Sequence, residues 1–241
     1  MTPRFFVDAE LTPNAELALS ASVTHHAARV LRLEDGAAIR LFNGRGGEYA
    51  ARLQLRHGFD AGAYVESFDA IERESPLAIT LIQAMTSAEK LDWVVEKATE
   101  LGVARVIVSG MTRSIARLSG ERLARKLAHW RDVAIAACCQ CGRNRLPRIE
   151  AAAALGDALA LAGAAGLKLV LDLDAHGHWP HAINGPAVLV VGPEGGLTDE
   201  EVARARQCGF TDVQLGPRTL RTETAGLAAI AALQAIAGDL T

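Results

Sequence analysis

Two stretches near the carboxyl end decide the reading of this chain: VVGPEGGLT, residues 190–198, and LGPRTLRTETAG, residues 215–226. The first leaves the apolar run AVLVVG (187–192), as expected of a strand buried on both faces. It enters TDEEVARARQCG (198–209), a helix with a capping threonine and acids in its first turn. The second leaves the short strand DVQLG (212–216) and enters the closing helix TETAGLAAIAALQAIAG (222–238). Each loop therefore sits at the carboxyl end of a strand, where open α/β sheets bind ligands. Gly192, Gly195 and Gly196 let backbone approach a ligand closely, and Pro193 and Pro217 stiffen the loops. Neither loop has the G-x-G-x-x-G spacing, so a dinucleotide fingerprint is not supported. On chemistry alone, two tight turns with no ligand remain an open alternative.

Outward from these loops the strand–helix alternation continues. LAITLIQAM (77–85), VARVIVSG (103–110) and KLVLDLD (168–174) read as buried strands. Leu91, Val94, Val95, Ala98 and Leu101 recur at helical spacing after Ser87, with Gly102 as the stop. A long basic helix is expected from Gly120 to about Cys141, and AAAALGDALALAGAAG (151–166) reads as an Ala-rich helix. This order predicts an α/β domain with a largely parallel sheet. The first seventy residues differ. RFFV (4–7), AAIRLF (37–42), EYAARLQL (48–55) and GAYVESF (62–68) are short strand segments, with one helical segment from His25 to Leu31. They suggest a small β-barrel, and the turn at Gly44–Gly47 suits a hairpin. The charged stretch IERESP (71–76) reads as a linker, giving domains 1–72 and 76–241.

A chain of 241 residues, 50% hydrophobic and 22% charged, can bury a sizeable core without disulfides or metal. No apolar run reaches the ~20 residues of a membrane helix, and the first residues lack a secretory signal's apolar segment. The expected compartment is the cytoplasm, with no membrane association. Cys138, Cys139, Cys141 and Cys208 form no disulfide framework, and one C-x-x-C without a second pair is no zinc site. They read as structural thiols. His176, His178 and His181 flank Gly177 and Pro180 in a loop, and no metal site is expected. His25 and His26 read as a helix-start pair, Trp93 and Trp130 as packing residues.

The net charge of −3 is unevenly spread. Residues 76–150 hold twelve Lys or Arg against seven acids, while the flanking thirds are acidic. Confinement of basic residues to one region is common in nucleic-acid binders, although a solvated helix face reads equally well.

With these residues in view, the chain resembles the SPOUT methyltransferases, knotted S-adenosylmethionine-dependent RNA methyltransferases. GPEGGLTDEE followed by LGPRTLRTETA matches their two carboxyl-terminal motifs. RFFV, HHAARVLRL (25–33), KLDWVVEKATELGV (90–103) and CQCGRNRLP (139–147) follow the order of one branch, the RsmE-type 16S ribosomal RNA uracil-N3 methyltransferases. HGHWPH (176–181) matches no family motif. The resemblance implies an amino-terminal PUA-like RNA-binding β-barrel and a SPOUT domain with a deep trefoil knot, in a homodimer acting on 16S rRNA or the assembled 30S subunit. It implies S-adenosylmethionine held by Leu171, Val191, Gly192, Gly195, Gly196, Leu215, Gly216, Leu220 and Thr224. It assigns RNA contacts to Arg4, Arg29 and Arg32 on the small domain and to Arg143, Asn144 and Arg145 on the catalytic one.

Uridine N3 carries a proton and is a poor nucleophile until that proton leaves. A base, or a cation stabilising the uracil anion, is therefore needed. Arg221 and Arg218 are the nearest cations to the cofactor motifs; Glu194 and Glu223 are the nearest carboxylates. Arg221, Glu223 and Glu194 are the catalytic candidates, with helix support as the alternative for Glu223. Two other functions remain: a 2′-O-methyltransferase on tRNA or rRNA, and a non-catalytic RNA-binding assembly factor.

Overall fold

The structure, a computed structural model, describes residues 2–55, 60–114 and 119–240. These residues divide into two units, one of residues 1–74 and 138–146, the other of residues 75–137 and 147–241.

The amino-terminal unit is built on one five-stranded sheet: β1 (Arg4–Phe6), β2 (Glu16–Ala18), β3 (Ala38–Phe42), β4 (Glu48–Leu55) and β5 (Ala61–Asp69), in the order β1-β3-β4-β5-β2. β1 runs parallel to β3 and the other pairs are antiparallel. Its core gathers Phe5, Leu19, Ile39, Leu41, Leu53, Ala63 and Val65. The strand β2 was not foreseen: GluLeuAla is too short for an alternation to show, and only its pairing with β5 makes it a strand. Between β2 and β3, α1 (Ala21–His25) runs into one π-helical turn, His26–Val30.

The second unit carries a six-stranded, wholly parallel sheet in the order β11-β9-β10-β6-β7-β8. Its strands are β6 (Ile79–Ala84), β7 (Arg105–Ser109), β8 (Arg148–Ala152), β9 (Leu167–Leu171), β10 (Ala187–Val191) and β11 (Thr211–Val213). Its helices are α2 (Ala88–Glu100), α3 (Gly120–Cys141), α4 (Leu155–Ala162), α5 (Asp199–Gln207) and α6 (Thr222–Ala237), the last turn of α3 grouping with the first unit. Alternate strand residues feed two cores. Leu81, Leu169, Leu189 and Val191 pack with α2, α6 and Trp130 of α3; Ile82, Ile107, Val170 and Val190 pack with α4 and α5. The parallel α/β sheet is thus as expected, with one correction. Ala151 and Ala152 are strand, not the start of an Ala-rich helix, because β8 completes the sheet edge beside β7. Ala's helix preference yields there to a ladder of backbone hydrogen bonds. The stretch HGHWPH also finds a use: Gly177 bridges to Val213 beside β11, and Trp179 packs on the core.

Among the described residues no helix is long and apolar enough to cross a membrane.

Candidate active site

At the carboxyl ends of β9, β10 and β11 the chain encloses a cavity of about 560 Å³. Leu171 comes from the end of β9, Val191 and the loop Gly192–Leu197 from β10, and Leu215, Gly216 and Leu220 from the segment after β11. The volume lies in the ~300–1,000 Å³ range of small-molecule pockets. Of the nine positions expected to hold cofactor, eight line it; Thr224 does not, being one turn into α6. The apolar side chains offer flat contact to an adenine, and the glycine-rich backbone offers amides and carbonyls. Gly192 is needed where it stands, because a Cβ there would meet Leu197 Cγ at 3.0 Å and Leu197 N at 3.2 Å. Gly196 takes φ +71°, a left-handed conformation that suits glycine.

The two loops are fastened to one another and to the sheet. Thr222 Oγ1 donates to the Gly192 carbonyl at 2.6 Å and accepts from Gln83 Nε2 at 2.9 Å. Gln83, at the end of β6, is wholly buried. Arg113, in the segment after β7, donates to the carbonyls of Gly195 (2.8 Å) and Leu197 (3.2 Å). Thr198 and Glu201 form a reciprocal cap at the start of α5, and Glu201 also accepts from the Thr112 amide at 2.9 Å.

Charge is organised around Lys90, on the first turn of α2. Its Nζ lies 2.8 Å from Glu194 Oε1 and 3.3 Å from Glu223 Oε2. Partial burial raises the Glu194 carboxyl, but the Lys90 ammonium and a backbone amide outweigh it and hold it below the usual carboxylate range. The same pairing with Glu194 lifts the Lys90 ammonium above its ordinary value. Arg218 and Arg221 line the cavity, exposed, and no side-chain partner is recorded for either among the described residues. Lys90, Arg113, Gln83 and Thr222 escaped the sequence reading. Lys90 and Gln83 lie far from both loops in the chain, and no spacing links them to the motifs.

The expected RNA contacts separate into two groups. Arg143 and Asn144 are 4% and 0% exposed. Arg143 makes a two-pronged pair with Glu74, at 3.1 and 2.6 Å. Asn144 donates to the Ile71 carbonyl at 2.8 Å and accepts from Arg4 at 2.7 Å. Arg4 also pairs with Glu48 and lies over the Phe42 ring. These three side chains have their main partners inside the amino-terminal unit. The segment Cys138–Leu146 belongs to that unit, not to the catalytic one as the sequence suggested. Arg145 pairs with Glu72 at 3.1 Å yet keeps half its side chain exposed. Arg29 and Arg32 are exposed on the π-helical turn and just beyond it. Cys138 is buried, and hydrogen bonding with Cys141 together with burial pushes its thiol far up. Among the described residues no group of three or more His, Cys, Asp or Glu could hold a metal ion.

Residues 73–234 match the RNA methyltransferase domain family, and residues 19–56 match the RNA methyltransferase PUA domain. Ribosomal RNA small subunit methyltransferase E of Buchnera aphidicola is 30% identical, over 99% of this chain and 98% of that protein. The crystal structure of the protein of the same name from Neisseria gonorrhoeae, bound to S-adenosylmethionine, superposes with a TM-score of 0.90 at 37% identity, covering both chains fully. A Legionella pneumophila methyltransferase with bound S-adenosylmethionine does so with a TM-score of 0.94 at 35% identity, again over both full chains.

Proposed function

This chain belongs to the RNA methyltransferase family, and from that premise we propose that it transfers a methyl group from S-adenosylmethionine to N3 of a uridine in 16S ribosomal RNA. The observation that carries the reading is the cavity at the carboxyl ends of β9, β10 and β11, walled by the two motif loops. Its apolar walls and glycine-rich backbone fit S-adenosylmethionine, held by Leu171, Val191, Gly192, Gly195, Gly196, Leu215, Gly216 and Leu220. When bound, the cofactor supplies an electrophilic methyl on a sulfonium.

The chain's own residues do the rest. Arg113 and Thr222 hold the Gly192–Leu197 loop in one conformation, so the pocket is formed before binding. Arg221, supported by Arg218, presents positive charge to the uracil oxygens, where negative charge grows as the N3 proton leaves. Glu194 and Glu223 stay beside the site as a carboxylate pair bridged by Lys90, and provide acceptors for that proton through water or directly. On the RNA side, Arg29, Arg32 and Arg145 are the exposed candidates.

The reading extends to a cytoplasmic homodimer acting on 16S rRNA or the 30S subunit. Trp93, half exposed on α2, marks a face that a second copy would cover. It includes a trefoil knot in the carboxyl-terminal part of the chain.

The test offers methyl-labelled S-adenosylmethionine and the purified chain to 30S subunits and to naked 16S rRNA, and identifies the product nucleoside by mass. 3-Methyluridine is expected. A 2′-O-methylated nucleoside would keep the cofactor and overturn the substrate atom. Binding of rRNA and cofactor with no product would point to an assembly factor.

A further inference from the structure

The walls of the cavity do not carry charge evenly. Lys90 is tied to Glu194, and Arg113 to the Gly195 and Leu197 carbonyls. The wall at the carboxyl end of β9 differs. There the chain reads Leu171-Asp172-Leu173-Asp174, and all four residues line the cavity. Among the described residues no ion pair is recorded for Asp172 or Asp174. The cation that the charge of Asp172 does reach, Arg206, is already held in a two-pronged pair by Asp212 at 2.7 and 2.9 Å.

Backbone sets the two carboxylates in place. β9 lies between β10 and β11, and the Asp172 amide donates to the Val213 carbonyl at 3.1 Å. Asp172 Oδ1 then accepts from the Asp174 amide at 3.3 Å, which closes a local side-chain turn. One carboxylate thus orders the chain that carries the other. Asp172 is half-buried and Asp174 exposed, and Leu173 between them, 54% exposed, adds apolar surface to the same wall. Acids unmet by a cation, beside an apolar patch, suit a ligand that is cationic at a largely apolar centre.

That chemistry separates two molecules the site has to handle. S-adenosylmethionine carries a sulfonium. When the methyl group is transferred, the electron pair of the carbon–sulfur bond stays on sulfur, and S-adenosylhomocysteine is a neutral thioether of nearly the same shape. The glycine-rich backbone and the apolar walls hold both alike; only the charge tells them apart. We propose that Asp172 and Asp174 are specificity-determining residues of this cavity, favouring the cationic methyl donor over its neutral product. The inference rests on the cofactor reading above and adds how the site is biased toward exchange of product for fresh donor. Specificity is a difference of two affinities. A unit charge near a carboxylate that is half in water sets that difference at about two- to fivefold per acid.

The test separates charge reading from packing. The full chain and its Asp172→Asn, Asp174→Asn and doubly substituted variants are titrated calorimetrically with S-adenosylmethionine, S-adenosylhomocysteine and sinefungin, in which a carbon bearing a protonated amine replaces the sulfonium. Asparagine keeps the Oδ1 acceptor of the turn and removes only the charge, so thermal melting should shift by no more than a few degrees. Each single substitution should move the affinity ratio about two- to fivefold toward S-adenosylhomocysteine, and the double substitution further. Sinefungin should weaken in step with S-adenosylmethionine. Added salt should narrow the gap between parent and double variant. An unchanged ratio overturns the proposal. So does equal weakening of all three ligands, since the acids would then shape the wall without reading charge. A parent chain that binds none of the three removes the cofactor reading itself; a parent that binds them, with variants that keep its ratio, removes only the role of the two acids.

Discussion

Lys90 and Glu194 are joined at 2.8 Å although 104 residues separate them, and Glu223 meets the same ammonium at 3.3 Å. One lysine on α2 thereby ties together carboxylates from both cavity loops. Replacing it with methionine leaves two carboxylates facing one another without their cation. Lys90→Met is expected to weaken S-adenosylmethionine binding by roughly three- to tenfold, the scale of a partly exposed ion-pair network, with Lys90→Arg recovering most of it. Calorimetric titration of the two variants decides this; unchanged affinity in Lys90→Met would remove the lysine from the site.

The charge states of that pair set a pH window. The Glu194 carboxyl is held below its usual range, so its contribution is present above about pH 4.3 and is lost as pH falls through the lowered value. The Lys90 ammonium is raised, so its contribution is complete below about pH 10.4 and is lost as pH climbs past the raised value. Cofactor affinity should therefore show no titration of this pair between about pH 5 and 10. A cofactor-binding step near neutrality that disappears in Lys90→Met would contradict the assignment.

Arg221 lines the cavity, and the proposed function gives it the charge that exists only in the transition state. Arg221→Ala should lower kcat by about 10²–10³. The dissociation constant of S-adenosylmethionine should change little. Single-turnover rates measured with saturating rRNA read the first quantity and calorimetry the second; equal losses in both would make Arg221 a cofactor ligand instead.

Thr222 is the knot of hydrogen bonds between β6, the Gly192 loop and α6. Thr222→Val keeps shape but orphans the buried Gln83 amide, at a cost of about 1–3 kcal/mol. Urea unfolding should show that loss, and cofactor binding should weaken with it because the Gly192 carbonyl is no longer fixed.

Arg143 illustrates a basic residue whose work is internal. Arg143→Ala strips Glu74 of its two-pronged partner and should destabilise the chain by about 2–3 kcal/mol, less than for a fully buried pair because Glu74 keeps some solvent. Arg145→Ala, at an exposed pair, should cost under about 1 kcal/mol. Thermal melts rank the two, and the reverse order would restore Arg143 as a surface ligand.

Much of this molecule is legible in one dimension. The near-continuous apolar runs at β6, β7, β9 and β10 declare strands buried on both faces, and the glycine–proline loops at 192–197 and 215–220 point to the place where the cavity forms. These are local signals: a strand's pattern and a turn's backbone needs are written in adjacent residues. The errors have one physical origin. β8 and β2 are strands because a neighbour pairs with them, and no property of RIEAA or ELA alone says so. The burial of Arg143 and Asn144 is likewise silent in GRNR, because charge in sequence says nothing about burial and only the fold brings Glu74 and Ile71 against them.

The sequence by itself determined the α/β order, the two cavity loops and, by resemblance, the family. Tertiary structure alone decided which charges serve the site. Lys90 and Arg113 are drawn to the cavity, and Gln83 to Thr222 beneath it, from the strand–helix units of β6 and β7, because β6 pairs with β10 and so sets its carboxyl end beside both loops. Arg143 and Asn144 are withdrawn from solvent because their partners, Glu74 and Ile71, lie some seventy residues earlier in the chain. Coulombic and hydrogen-bond energies depend on distance in space, and that distance is fixed by strand order, which the local pattern of residues does not encode.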